Sequence, residues 1–322
     1  MSPAHERLDP IASGLAADLL PEAKIWRRLL AYKVMQPGIS TQVFLQQRLH
    51  PGLLDALVRG GAKSIEVFAA RHHFDYADRS VVREIAQWFR SNDVTTTLHQ
   101  PLYADAQWSR HVAPTLNLID VEKSRRIDAM DEVKRALESA EQIPFTAIVL
   151  HLGVREDHWS ARSLENSLTA IEHLKAFAHP LGVKCLLENL HNEVATPEHL
   201  LEVLKVGHFQ TVGICFDAGH AHLSDTGLEG SFALLKSRIA EIHIHDNHGA
   251  AGNKDEHLWP GSGTLDWSAF SRLCTELPAS VPGILEITHE LEETPESAST
   301  KARAAFDVFE KNAEEQAAKM IR

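Results

Sequence analysis

T-V-G-I-C-F-D-A-G-H (Thr211–His220), E-I-H-I-H-D-N (Glu241–Asn247) and K-D-E-H-L-W-P-G-S-G-T-L-D-W (Lys254–Trp267) are three pieces of one stretch that decides how the chain is read. The first is a short apolar strand ending on Asp217, with His220 three positions on. The second is a strand, Ala240 to Ile244, that carries His243 and runs into His245, Asp246 and Asn247. The third is a Gly- and Pro-rich loop presenting Asp255 and His257. Imidazoles and carboxylates at strand ends and in the loops that follow are the donors that Zn, Mn or Fe ions take. A lone D-x-x-H also suits a plain helix cap. Three such groups in one stretch favour a metal site.

On both sides of this stretch, strands and helices alternate. Gly38 to Phe44, Ser64 to Ala69, Val94 to His99 and Phe145 to Leu152 read as strands, and so do Val183 to Glu188, Val212 to Asp217, Ala240 to His245 and Gly283 to Thr288. Helical patterns separate them. One is the piece opened by Thr196 as N-cap with Glu198 in its first turn, and the last runs from Glu296 to Ala317. Apolar strands alternating with helices indicate a parallel sheet covered on its outer face. Eight such units in one chain predict a closed (β/α)8 barrel, a fold that commonly spans ~250 residues. No G-x-G-x-x-G follows a strand, so a dinucleotide fold has no support. Residues 1–36 precede this rhythm as an N-terminal extension with an amphipathic helical piece, Glu22 to Val34, and residues 37–322 form the barrel.

The bulk numbers agree with an ordinary globular chain. The apolar fraction is 44% and the net charge −12, which disfavours a protein whose affinity comes from neutralising phosphates. The three cysteines are odd in number, and Cys185 and Cys215 fall inside apolar strands, as expected of core residues in a reducing cytosol. No signal-peptide pattern and no apolar run of about 18 residues is present, so a cytoplasmic protein without membrane spans is expected.

In such a barrel the chemistry sits at the C-terminal strand ends. Taken in order, those ends give His99, His151, Glu188, Asp217 with His220, His243 with Asp255 and His257 in its loop, and Glu286. Five imidazoles and four carboxylates would converge on one mouth with almost no Lys or Arg among them. They would repel one another unless cations are bound, and no apolar core requires such a set. Glu66 in S-I-E-V-F and His72 in R-H-H-F-D-Y are further pocket candidates. His245 and Asn247 would suit hydrogen bonds to a polyol, and Trp108, Trp159 and Trp259 could wall a sugar ring. Trp267 is expected to pack at a helix start, and His191 and His248 to lie on the surface.

The motifs G-I-C-F-D-A-G-H-A, H-I-H-D-N-H-G, G-S-G-T-L-D-W and L-L-E-N resemble the xylose isomerase-like barrels, and within them the sugar phosphate isomerase/epimerase group, which is related to endonuclease IV. The resemblance covers about Gly38 to Phe309. It implies a divalent ion, zinc or manganese first and cobalt, iron or magnesium otherwise, held by Glu188, Asp217, His243 and Glu286. It also implies a small carbohydrate substrate, with Glu188 and Glu286 moving a proton beside a carbonyl and His220 steadying substrate oxygens. Endonuclease IV members hold three zinc ions on nine ligands, and His99, His151, His220, Asp255 and His257 complete that set here. The alternative is therefore zinc-dependent phosphodiester hydrolysis at abasic DNA. The G-S-G-T-L-D-W loop and I-H-D-N after His243, where the repair enzymes have L-N-D-S-K, favour the sugar reading. A sugar-binding barrel without turnover is a third reading, and the outer helices of such barrels offer a face for homo-oligomers.

Overall fold

The computed structural model describes residues 35–104, 114–252, 254–288 and 293–320. Eight parallel strands close a barrel in sequence order: β1 Gln36–Ser40, β2 Ser64–Phe68, β3 Thr95–His99, β4 Phe145–Leu150, β5 Lys184–Glu188, β6 Gly213–Asp217, β7 Ile239–Ile244 and β8 Pro282–Leu285. The main helices are α1 Pro51–Arg59, α2 Arg79–Ser91, α3 Lys123–Leu137, α4 Ala161–Ala178, α5 Pro197–Val206, the short α6 Ala218–Leu223, α7 Gly227–Leu235, α8 Trp267–Cys274 and α9 Pro295–Met320. The expected helix Glu22 to Val34 and the residue Trp108 lie outside the described residues.

Alternation along each strand divides the barrel into two cores. Ile148, Leu150, Leu187, Ile214, Phe216, Ile242 and Ile244 belong to the large cluster between sheet and helices. Each such side chain contributes about 1.5–3 kcal/mol on burial. Ala147, Val149, Leu186 and Cys215, one position out of step, form a separate small cluster. The same inward phase on β2, β3 and β7 carries Glu66, Thr97, Glu241 and His243, all buried. One flank of the lumen is thus apolar and the other polar.

Several strands end earlier than expected, β1 and β8 most of all. β1 stops at Ser40 because its Oγ accepts from the Gln42 amide (3.3 Å) and caps a 3-10 turn over Thr41–Phe44. Thr41 Oγ1 then accepts from the Phe68 amide (2.9 Å), fixing that turn to the end of β2. β8 stops at Leu285, although the Glu286 amide still bonds the Ile244 carbonyl (3.1 Å). Register does the rest. Asp217 stands beside His243, and Glu188 beside Cys215, two residues before Asp217 on the same face of β6. Among the described residues, no helix is long and apolar enough to cross a membrane.

Candidate metal centre

Glu188 and Asp217 are the last residues of β5 and β6, His243 is the penultimate residue of β7, and Glu286 follows β8. All four are buried, and one donor atom from each lies within 4.8 Å of the others. Their polar atoms divide into committed and idle ones. Asp217 caps α6, its Oδ1 accepting from the His220 amide (2.6 Å), while its buried Oδ2 has no hydrogen-bond partner. The helix-cap and metal readings of D-x-x-H are therefore compatible, one per oxygen. His243 places Nε2 3.0 Å from Glu66 Oε2. Its Nδ1 lies 3.2 Å from Glu286 Oε2 and 3.4 Å from Glu188 Oε2, without hydrogen-bonding geometry. Glu188 Oε1 and Glu286 Oε2 are idle as well. Buried polar atoms are nearly always satisfied, so this group with four idle donor atoms is one that could hold a cation.

Two further groups flank this quartet. On the β3–β5 side, His99, His151 and Glu188 converge, with His99 Nε2 3.0 Å from His151 Nε2 and the latter 2.9 Å from Glu188 Oε2. On the β6–β7 side stand His220, His245, Asp255 and His257. Most tautomers are legible from the partners, because a carbonyl can only accept. His99, His220 and His257 each face a backbone carbonyl with Nδ1: Gln100 at 2.9 Å, Asn189 at 3.0 Å and Glu286 at 2.9 Å. Each thereby turns Nε2 toward the mouth, the pattern by which outer contacts fix a ligand. His257 reaches its place with φ of 47°, a left-handed backbone rare for a residue with a Cβ.

The electrostatics are those of a mouth filled with carboxylates. Burial favours neutral carboxyls, but the charges of His151 and His243 and hydrogen bonds from His151 and His220 hold Glu188 well below its ordinary value. Burial likewise opposes ionisation of Glu286 and Asp255, and the neighbouring histidines overcome it. Desolvation alone would lower the histidines. The surrounding acids instead raise His99 to about 9 and His257 to about 10, and push His220 and His243 well above the ordinary range. The donor set suits a divalent ion, because its idle atoms are anionic oxygens and imidazole nitrogens.

Asp246 builds the loop that carries Asp255 and His257. Its carboxylate accepts from the amides of Asn247, Gly261, Gly263 and Leu265 and from Trp267 Nε1 (2.9–3.2 Å). Gly263 lies so close that a Cβ would meet Asn247 O at 2.3 Å. Trp267 packs at the start of α8 against Phe270 and Phe309, as expected.

The mouth opens into a pocket of ≈450 Å³ touched by His151, Glu188, His220, Asp255, His257 and Glu286. Several expected contacts fall elsewhere. Asn247 is fully buried, and its carboxamide bridges the Gly219 carbonyl and the Gly249 amide (2.9 Å each), so it braces a loop instead of meeting a sugar. His245 is also fully buried, between Asp217 and His257, and contributes to the ligand cluster rather than to the pocket wall. Trp259 packs on the core beside Lys301, Trp159 stacks on His199, and neither they nor His72 line the pocket. Glu66 supports His243 from below and does not reach the pocket. The apolar walls come from Phe68, Leu102, Tyr103, Leu116 and Leu190. His191, expected on the surface, lies on the pocket wall beside Arg155. Glu241 was not anticipated, although it stands two residues before His243 on the same strand face; it receives a bond from Thr97 Oγ1 (3.3 Å), and burial first of all raises it to about 7.

A closed parallel barrel with groups of metal-type donors at its C-terminal mouth defines the class of (β/α)8 barrels. Residues 54–311 match the xylose isomerase-like TIM barrel family, and the chain belongs to it. An uncharacterised protein of Methanocaldococcus jannaschii, MJ1311, is 26% identical over 72% of this chain and 77% of its own length. A probable endonuclease 4 of Haloquadratum walsbyi is 24% identical over 57% of this chain and 70% of its own. A solved D-tagatose 3-epimerase-like protein superposes with a TM-score of 0.70 at 21% identity, covering 89% of this chain and all (100%) of that one. The IOLI protein, solved with a bound zinc atom, gives 0.66 at 18% identity, covering 88% and 99%.

Proposed function

We propose that the chain is a divalent-metal-dependent isomerase or epimerase of a small carbohydrate, free or phosphorylated. The observation that carries this reading is the quartet Glu188, Asp217, His243 and Glu286, whose idle donors gather beneath an open pocket bordered by both glutamates. These four residues would hold the ion, which when bound supplies Lewis acidity to a carbonyl and its neighbouring hydroxyl. Glu188 and Glu286 come from β5 and from the end of β8, so they can address a substrate carbon from different sides. One takes the proton from the carbon beside the carbonyl, and the other delivers a proton to the opposite face or to the adjacent carbon. The flanking histidines, against the opposing effect of burial, favour the ionised form of both carboxyls, as the proton acceptor requires. His220, with Nδ1 fixed by Asn189, turns Nε2 toward the mouth. The pocket volume is of the size that takes a small molecule.

The test is a panel of ketoses, their phosphates and inositol-type ketones, followed by NMR in D2O after loading with Mn, Co or Zn. Solvent deuterium should enter the carbon beside the carbonyl, and Glu286→Gln should lower turnover by 10³-fold or more with the fold intact. Undiminished turnover in that variant sinks the assignment of roles.

A second reading, phosphodiester hydrolysis on several ions, draws on the flanking groups His99–His151–Glu188 and His220–Asp255–His257. Against it, three arginines are engaged elsewhere, which leaves Arg155 on the pocket wall. Arg71 grips Glu132 with two bonds, Arg125 faces Asp120 and Glu122, and Arg126 bonds the Asp120 and Val121 carbonyls. Cleavage of an abasic duplex by the zinc-loaded chain, with no deuterium incorporation into any sugar, would establish it instead.

A further inference from the structure

We propose that the substrate is a ketose joined to a second, uncharged sugar ring, and that this ring lies in a separate lobe of the cleft, between the chain segments that follow β5 and β6. The inference rests on the carbohydrate reading of the pocket and narrows it to one substrate class.

A second cavity, of ≈570 Å³, adjoins the pocket of ≈450 Å³ above the quartet. Arg155, Leu190, His191, Asn192 and His220 border both, so the two meet along one edge. The first alone falls within the range of about 300–1,000 Å³ that takes a small molecule. A monosaccharide over Glu188 and Glu286 needs no more than that, and the second lobe is left to something attached to it. The lobe lies between residues 189–197, which lead from β5 into α5, and residues 224–226, which link α6 to α7.

Its walls are fixed from behind. Asn192 Oδ1 accepts from the Val194 and Ala195 amides (3.0 and 2.7 Å), while its Nδ2 donates to the Leu152 carbonyl (3.1 Å). Thr196 caps α5 by accepting from the His199 amide (3.3 Å), and Ser224 Oγ donates to the Ala221 carbonyl (2.9 Å). Thr226 Oγ1 donates to Glu198 Oε1 (3.2 Å) and so joins the two sides. A cavity whose side chains are already tied to its own chain keeps its shape without a ligand, which lowers the ordering cost of binding.

The groups that face the lobe suit hydroxyls. Its far end presents the exposed carboxylates of Glu193, Glu198 and Asp225, which can only accept. His199 lies flat on Trp159, with centroids 3.9 Å apart and planes at 8°. Its Nδ1 donates to the Glu193 carbonyl (2.6 Å), which leaves Nε2 of the neutral ring an acceptor. At the shared edge, His191 Nδ1 is shut from solvent and has no hydrogen-bond partner. Three carboxylates would repel a phosphate at the far end, whereas sugar hydroxyls donate to them. Among the described residues, Arg155 is the one Arg or Lys bordering either cavity, and it stands on the shared edge, not at the far end.

The test uses the zinc-loaded full chain with four ketose-ended disaccharides of different linkage, isomaltulose, turanose, maltulose and lactulose, beside fructose and fructose 6-phosphate. Calorimetry reads binding, and saturation-transfer NMR reads which ring touches the protein. At least one disaccharide should bind about tenfold tighter than fructose or better, with saturation reaching its second ring. Thr226→Trp fills the lobe at a residue whose side chain makes no cap bond to α7, and should cut that advantage to about twofold or less. Should that variant not fold, Glu198→Trp on the exposed rim serves instead. Parity of every disaccharide with fructose, or an advantage that survives the substitution, overturns the proposal. Tightest binding by fructose 6-phosphate overturns it as well and gives the shared edge to an anion at Arg155. Deuterium entry is followed in parallel. A disaccharide advantage with no deuterium entering any sugar upholds the lobe and sinks the isomerase reading alone.

Discussion

Glu66 shows how much of the site lies beneath its ligands. It reaches no pocket atom, yet its carboxylate takes the Nε2 proton of His243 and so frees Nδ1 for an ion. Removing such an outer partner typically weakens metal affinity about 10–100-fold. Glu66→Ala should do so in a competition titration against a chelating dye, while circular dichroism stays unchanged; parental affinity would mean that packing alone orients His243. Titration of the ligands makes a second prediction. Metal uptake must displace protons from His99 and His257, raised to about 9 and about 10, so affinity should fall as pH falls from 9 to 6. The metal-free chain should show the linked stability profile. Raised histidines contribute fully below their unfolded value near 6.5 and lose that contribution as pH rises through 9 to 10. The lowered carboxyls of Glu188, Asp255 and Glu286 contribute above their ordinary values near 4 and lose it as pH falls further. Urea unfolding in chelator should therefore give its highest midpoint between about pH 4.5 and 6.5, and a midpoint still rising toward pH 10 would contradict the assignment.

Elements explain which parts of this site were legible in the sequence. Strand ends were, because period-two alternation and the β/α rhythm fix where each strand stops and which face its last residues show. Glu188, Asp217, His243 and Glu286 could be placed on that ground. Loops were not, because their shape depends on which buried polar group they fold around, and that is a tertiary fact. Asn247 and Trp259 read as sugar contacts, yet the first braces the loop organised by Asp246 and the second packs on the core. Arg155 and His191 reach the pocket from loops that carry no periodic signal. Glu241 was different, since the phase of β7 already put it on His243's side. Asp246 itself supports a firm expectation at this scale. Asp246→Ala would strand the buried amides of Asn247 and Leu265, and the partly buried amides of Gly261 and Gly263 and indole N–H of Trp267. Each buried unsatisfied donor costs about 1–3 kcal/mol before relaxation and water entry. A loss of about 3 kcal/mol or more in urea unfolding is expected, together with weaker zinc binding through Asp255 and His257. A loss below about 1 kcal/mol would show that the loop holds its shape by other means.

At the scale of the molecule, the candidate ligands stand at the ends of the last four strands, which their backbone ladders join. Glu188 and Glu286 are far apart in sequence, and only the closed barrel, β1 pairing β8, brings the ends of β5 to β8 to one point. An unfolded chain cannot offer this geometry, so an ion that binds the quartet binds the folded state alone and stabilises it by mass action. At a free concentration one hundred times its Kd that amounts to about 2.7 kcal/mol. The gain should be larger than for an isolated pair of ligands, because the ion also relieves mutual repulsion among carboxylates gathered in a chain that is already net negative by 12 charges. Stripping the chain with chelator should lower its melting temperature by several degrees, and Mn, Co or Zn should restore it in proportion to the logarithm of their concentration. His243→Ala should melt at the stripped temperature and respond to none of them through the quartet. A parent chain whose melting is unaffected by chelator and by all three metals would make the converging carboxylates a structural network held by protonated histidines, and the proposed chemistry would fall with the ion.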